Sequence, residues 1–266
     1  MSRILFAGDT HGNLSHLRYL LEVAAKERVY TLFILGDFGY WEHQQEGVIF
    51  LDKLNAVAEK HGVVVYFLDG NHDNLGHLID AYDGAEYLNQ DGTIRIRDFI
   101  TYTPRGLRWT WDGVRFIALG GAYSVDKDYR LLLERKRRKP GSLWFPGEEM
   151  TDAEMAEILA DTSPVDIMLA HDKPAKTDVG LKNIPECFPN QHRLQAAMDT
   201  LKPKMYLHGH LHHRYSAQVP LPSLDLAECQ VEGLGAEPDA SWLPRYDAKA
   251  SWIIVDLKEF AHARES

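Results

Sequence analysis

Ile4-Leu5-Phe6-Ala7-Gly8-Asp9-Thr10-His11 carries four apolar residues straight into a carboxylate and an imidazole. A short apolar run closed by glycine reads as a buried strand. The same arrangement recurs four times. Residues 31–35 precede Gly36-Asp37, 63–68 precede Gly70-Asn71-His72-Asp73, 167–170 precede His171, and 205–207 precede His208-Gly209-His210-Leu211-His212. In an open α/β sheet, ligands gather beyond the carboxyl ends of the strands. Five strands therefore bring polar side chains to one edge.

Each block alone has an ordinary explanation. Asp-x-His and Gly-Asp are common turn chemistry, Asn71 and Asp73 suit turns or helix caps, and His171 alone reads as a satisfied core or surface histidine. In the last block, alternation would place His208, His210 and His212 on one side of an extended segment. Five such blocks in order, each behind a strand, outweigh the separate explanations. Carboxylates, imidazoles and one amide oxygen form a mixed N/O set with no cysteine close in sequence, which suits Mn, Fe, Zn, Ni or Co. Seven such side chains exceed the needs of one tetrahedral ion with an open position, whereas two ions sharing a carboxylate use them all.

These blocks spell D-x-H, G-D, G-N-H-(D/E), H and G-H-x-H, so the chain resembles the calcineurin-like metallophosphoesterase superfamily from Arg3 to about Leu257. The resemblance implies two divalent transition-metal ions, manganese before iron, zinc, nickel or cobalt. It implies that Asp9, His11 and His212 hold one ion, that Asn71, His171 and His210 hold the other, and that Asp37 bridges them. His72 is then free to donate a proton to the leaving oxygen, while a hydroxide bridging the ions attacks phosphorus in line. The fold implied is a four-layer α/β/β/α sandwich of two mixed sheets flanked by helices.

The remaining pattern supports that architecture independently. Residues 93–96, 108–111 and 114–119 read as strands, with Trp111-Asp112-Gly113-Val114 as a hairpin turn. Residues 252–257 read as a further strand. Amphipathic helices fit 14–26, 48–60, 152–161 and 190–201. The segment 232–249, rich in Gly, Pro, Asp and Ala, reads as a surface linker. Trp242, Leu243 and Trp252 suit either a core or an interface, and oligomeric state stays open.

A chain of 266 residues with 45% hydrophobic content suffices for one domain, read here as 1–266 with a cap or flap inserted at about 121–150. The apolar runs are of strand length, so neither a membrane span nor a signal core is expected, and the reading points to the cytoplasm. Cys187 and Cys229 are expected as free thiols. A formal charge of −10 speaks against an extended nucleic-acid surface. Against that trend, Arg130-Leu-Leu-Leu-Glu-Arg-Lys-Arg-Arg-Lys139 is either a solvated helix face or a basic cap over a polyanionic substrate. Tyr123, Tyr129, Trp144 and Phe145 flank it as stacking platforms or as anchors for the flap.

One departure from the family pattern bears on substrate. Protein-phosphatase-like members follow Gly-Asp with an Asp-Arg pair that orients the catalytic histidine and clamps phosphate. Here Tyr40 and Trp41 stand at those positions. Glu42 or His43 are candidates for the orienting role, and Tyr40, Arg105 and Arg130 for substrate contacts. A diester carries one negative charge and needs less clamping than a dianionic monoester. The expectation is a phosphodiesterase acting on a small, perhaps cyclic, nucleotide. The alternatives are a phosphomonoesterase or protein serine-threonine phosphatase on the same ions and, more remotely, a non-catalytic scaffold.

Overall fold

Ile4 and Phe6 point to one face of their strand and Leu5 and Ala7 to the other, yet all four are fully buried. A strand buried on both faces needs a layer on each side. The computed structural model describes residues 2–182, 184–222, 227–238 and 247–261. Its strands are β1 (Arg3–Ala7), β2 (Thr31–Leu35), β3 (Val64–Leu68), β4 (Ile94–Arg97), β5 (Ile100–Tyr102), β6 (Arg108–Trp111), β7 (Val114–Leu119), β8 (Ile167–Ala170), β9 (Met205–His208), β10 (Tyr215–Pro220), β11 (Glu228–Gly233) and β12 (Trp252–Asp256). The helices are α1 (Leu14–Lys26), α2 (Gln45–His61), α3 (Leu75–Ala81), α4 (Lys127–Arg137), α5 (Asp152–Ile158), α6 (Phe188–Leu201) and α7 (Lys258–Ala261).

The strands form two mixed six-stranded sheets, ordered β12-β1-β2-β3-β5-β4 and β10-β11-β9-β8-β7-β6. Between them lie Ile4, Phe6, Phe33, Leu35 and Leu68 from the first sheet and Phe116, Ala118, Ile167, Leu169 and Leu207 from the second. The opposite face of the first sheet packs Leu5, Ala7, Ile34 and Phe67 against α1 and α2. On the second sheet, Ile117, Leu119, Met168 and Tyr206 pack against α5 and α6. This is the expected sandwich of two sheets flanked by helices. Burying each such aliphatic or aromatic side chain contributes roughly 1.5–3 kcal/mol.

Parallel register aligns the carboxyl ends. Ala7 pairs with Ile34 and Leu35 with Leu68 in one sheet, and Leu119 pairs with Ala170 and Leu169 with Leu207 in the other. The hairpin between β6 and β7 forms as read, with Asp112 and Gly113 both at positive φ, 47° and 80°.

Several elements depart from the sequence reading. The strand expected at 93–96 lies at Ile94–Arg97, and β5 escapes periodicity because it has three residues. β10 and β11 pair Ser216 with Glu232 and Gln218 with Gln230, polar residues of the kind an edge hairpin tolerates, so no apolar signal marks them. α3 is a single short stretch and was not expected. The proposed linker starts too early, because Glu232 and Gly233 belong to β11 and residues 234–237 are buried. Trp242 and Leu243 lie outside the described residues, whereas Trp252 opens β12 and its indole donates to the Tyr19 hydroxyl at 3.2 Å. Cys187 and Cys229 are free and buried. No helix among the described residues is long and apolar enough to cross a membrane.

Candidate metal centre

Every proposed ligand sits where the chain leaves a strand: after β1, β2, β3, β8 or β9. His11, Asp37, His210 and His212 have φ of 40°, 48°, 64° and 51°, half of the eight non-glycine residues with positive φ among the described residues. Such conformations cost about 1–3 kcal/mol each and concentrate at functional sites. They also overturn the alternation expected for the last block. His208 ends β9, buried, with Nε2 2.5 Å from the Tyr215 hydroxyl, while His210 and His212 have left the extended path. Glycine is required beside them for close approach: a Cβ at Gly36 would overlap the His171 ring, and one at Gly209 would overlap Asp9.

The side chains converge as two groups joined by one carboxylate. Asp37 Oδ2 lies 3.3 Å from His11 Nε2 and 3.3 Å from His171 Nε2. Asp9 Oδ2 lies 2.8 Å from His212 Nε2 and 4.0 Å from His11 Nε2. Across Asp37, Asn71 Oδ1 lies 3.1 Å from His171 Nε2, and the His171 and His210 rings are 5.0 Å apart. Ligand atoms of Asp9, His11 and His212 fall within 4.8 Å of one another, as do those of Asp37, His171 and His210.

The surrounding structure aims these atoms. His171 Nδ1 donates to Leu35 O at 2.7 Å, which turns Nε2 toward Asp37 and Asn71 as the ring atom able to ligate. His11 Nδ1 bonds Glu237 Oε2 at 2.9 Å, which turns Nε2 toward Asp37. Asp9 Oδ1 accepts from His210 N and Asp37 Oδ1 from His72 N, both at 2.7 Å. Asp73 accepts from the backbone N–H groups of Phe38, Gly39, Tyr40 and Gly70, tying the second ligand loop to the third. Glu237 has no counterpart in the sequence reading, because it lies in the stretch taken as linker.

Charge balance shows whether this set fits cations. Burial opposes ionisation of Asp9, yet His212 holds its pKa at about 2; burial likewise opposes ionisation of Asp37, which His171, His72 and His11 hold well below the carboxylate range. Burial disfavours charge on the imidazoles too. Asp37 and Glu237 nevertheless hold His11 well above its usual pKa, and Asp37 with Asp9 holds His171 at about 10. Two buried carboxylates thus demand positive charge between them, which protons supply and which divalent ions displace. Asp9 Oδ2 is buried and, apart from the imidazoles of His212 and His11, has no partner among the described residues. The residues fit a pair of cations.

The sequence profile described as calcineurin-like phosphoesterase matches residues 2–214. The chain belongs to that family. Membership of the calcineurin-like phosphoesterases makes it a hydrolase of phosphoesters and implies a dinuclear divalent metal site. An uncharacterised protein of Haemophilus influenzae is 23% identical over 226 residues, covering 82% of this chain and 87% of that protein. A crystal structure of a dimetal phosphatase from Danio rerio superposes with a TM-score of 0.56 at 13% identity, covering 96% and 92% of the two chains. A Thermus thermophilus protein gives 0.55 at 12% identity, covering 96% and 99%. These two likenesses concern the fold.

On the substrate side, this calcineurin-like chain departs from expectation at several residues. Tyr40 is fully buried, stacks on Phe67 and bonds Glu42 through its hydroxyl at 3.2 Å, so it is a core residue. Glu42 is held by Arg97 at 2.5 Å and Tyr82 at 2.6 Å, and His43 by Asn74 and Gln44, so neither orients His72. Arg105 pairs with Asp69 at 2.7 Å and donates to Gly147 O and Glu148 O, leaving it no role as a clamp. The structure brings Arg130 to the site instead. Its Nη1 lies 3.4 Å from His72 Nδ1, 3.4 Å from Asn71 O and 3.0 Å from Leu143 O, and its Nη2 bonds Ser124 Oγ. Trp41, standing where a clamp was expected, donates its indole N–H to His72 O at 2.7 Å. The rest of the basic run, 135–139, is solvent-exposed, as the helix-face reading holds.

Proposed function

We propose that this protein is a dinuclear-metal phosphodiesterase that hydrolyses small nucleotide diesters, with Asp9, His11 and His212 at one ion, Asn71, His171 and His210 at the other, and Asp37 shared. The observation that carries the reading is the engagement of the two candidate clamps. Arg105 and Arg130 both direct their donors at protein groups, so neither guanidinium is open to a dianionic phosphate. A diester monoanion needs no such clamp.

When bound, two divalent ions, for which manganese is the first candidate, lower the pKa of a water and neutralise phosphoryl oxygens. The chain's own groups do the rest. Because Arg130 donates to Nδ1 of His72, the imidazole proton resides on Nε2, which faces the shared carboxylate with 4.0 Å to Asp37 Oδ2. Trp41 and Asp37 fix the His72 backbone from both sides. His72 is thereby aimed to give a hydrogen bond, and then a proton, to the ester oxygen that departs. The P–O bond to that oxygen breaks as water oxygen bonds to phosphorus, yielding an alcohol and a monoester.

The test compares bis(p-nitrophenyl) phosphate with p-nitrophenyl phosphate on protein stripped by chelation and reloaded with Mn²⁺. A kcat/KM at least tenfold higher for the diester is expected. A strong preference for the monoester would overturn the reading in favour of a phosphomonoesterase or protein phosphatase.

A further inference from the structure

We propose that the cavity beside His210 is the recognition pocket for the organic group of the ester, and that it takes a flat apolar group of nucleobase size with hydrogen-bond acceptors at its inner end. The proposal rests on the phosphodiesterase reading and names the part of the substrate that the metal centre does not touch. The cavity encloses about 330 Å³, and His210 and Leu211 form one of its walls. It therefore opens beside the phosphoryl position rather than elsewhere on the surface. Pockets of roughly 300 Å³ or more suit small ligands, and a nucleobase falls within that size.

Its chemistry narrows the occupant. Val125, Val179, Leu181 and Ile184 line it, with Val125 60% and Leu181 43% exposed, apolar surface that a bound group would cover. Beside His210, Lys173, Thr177, Lys182 and Gln191 supply the polar part of the lining. Lys173 is 7% exposed, and its ammonium donates to Thr177 O at 2.9 Å, which leaves N–H groups for a further acceptor. A plain hydrocarbon group would leave that ammonium without one, at a cost in binding. A heteroaromatic ring with carbonyl oxygens supplies it while its faces meet the apolar walls.

The decisive measurement is a ratio: kcat/KM for the p-nitrophenyl ester of thymidine 5′-monophosphate over that for methyl p-nitrophenyl phosphate, both with Mn²⁺. A ratio of at least ten is expected in the native chain. Lys173→Met, which keeps the apolar stem and removes the ammonium, and Cys187→Met, which fills the cavity from its wall, should each lower that ratio severalfold or more. A native ratio near one, or variants that keep the native ratio, overturns the pocket while leaving the phosphodiesterase reading intact. Cleavage of neither ester instead removes that reading. The pocket is then decided by calorimetry with thymidine 5′-monophosphate: binding weakened tenfold in Cys187→Met supports it, and unchanged or absent binding overturns it.

Discussion

The wall that presents the ligands and the wall that faces the substrate are built in different ways. The candidate ligands hang from the ends of five central strands, and backbone groups lock the loops together, as when Thr10 N and His11 N both donate to Asp37 O at 3.1 and 2.7 Å. The wall proposed to face the substrate comes from 121–150 and from the loop after β8, and side chains join it to the candidate ligands. Ser124 Oγ accepts from Asn71 Nδ2 at 2.9 Å and donates to Glu148 Oε2 at 2.5 Å, and Arg130 binds the same hydroxyl. The contrast teaches that backbone bonds hold the candidate ligand loops to one another, whereas side chains couple the overlying segment to Asn71 and His72, so a change at Ser124 or Arg130 reaches the candidate metal centre.

Asp37→Ala strikes the one residue on which both halves of the ligand wall depend, so it should have the largest effect. Turnover should vanish and metal content, read by atomic emission, should fall from two ions per chain toward none. The far-ultraviolet circular dichroism should persist, because the core between the sheets is untouched. Retention of both ions would show that Asp37 is not shared. His72→Ala should keep the ions and slow hydrolysis by about 10²- to 10⁴-fold, most for poor leaving groups. Equal fractional loss on alkyl and nitrophenyl esters would remove His72 from leaving-group protonation.

The two walls also differ in how far the sequence discloses them. The apolar runs ending at Ala7, Leu35, Leu68, Ala170 and Leu207 announce their ligands, because a buried parallel strand dictates its own composition and sets the place where the polar loop begins. Supporting residues leave no such trace. Glu237 reaches His11 from 226 positions away, inside a stretch whose composition reads as linker. Tyr40 and Trp41 looked equivalent beside Asp37, yet one turns into the core and the other bonds His72, a difference set by tertiary packing. The cavity beside His210 is assembled from α4's approach, the loop after β8, α6 and the last ligand loop, which no local pattern links.

Glu237 tests whether that hidden support matters. A carboxylate that orients a metal-bound histidine typically contributes about 10- to 100-fold in metal affinity. Glu237→Gln should therefore weaken one of the two Mn²⁺ sites by that factor and spare the other, giving a split calorimetric isotherm. Equal weakening of both would mean that Glu237 acts through the fold rather than through His11.

The smallest effect concerns the back of the ligand wall and its dependence on pH. His16, on α1, is 3% exposed, and its Nε2 lies 3.2 Å from Ser251 Oγ. Burial pushes its pKa down to about 4, with Glu237 opposing only in part. The unfolded chain therefore binds this proton more readily than the folded one. Its contribution to stability is complete above about pH 6.5 and declines as pH falls toward 4, on the order of 2 kcal/mol by pH 5. Urea unfolding at pH 7.5 and pH 5 should show His16→Gln losing about that much less than the native chain, with Mn²⁺ saturating in both. The variant carries every other titrating group, including the ligands, so the difference between the two losses isolates His16. Identical losses would mean that His16 takes up its proton within the folded wall, and that acid weakens the site from the ligand side alone.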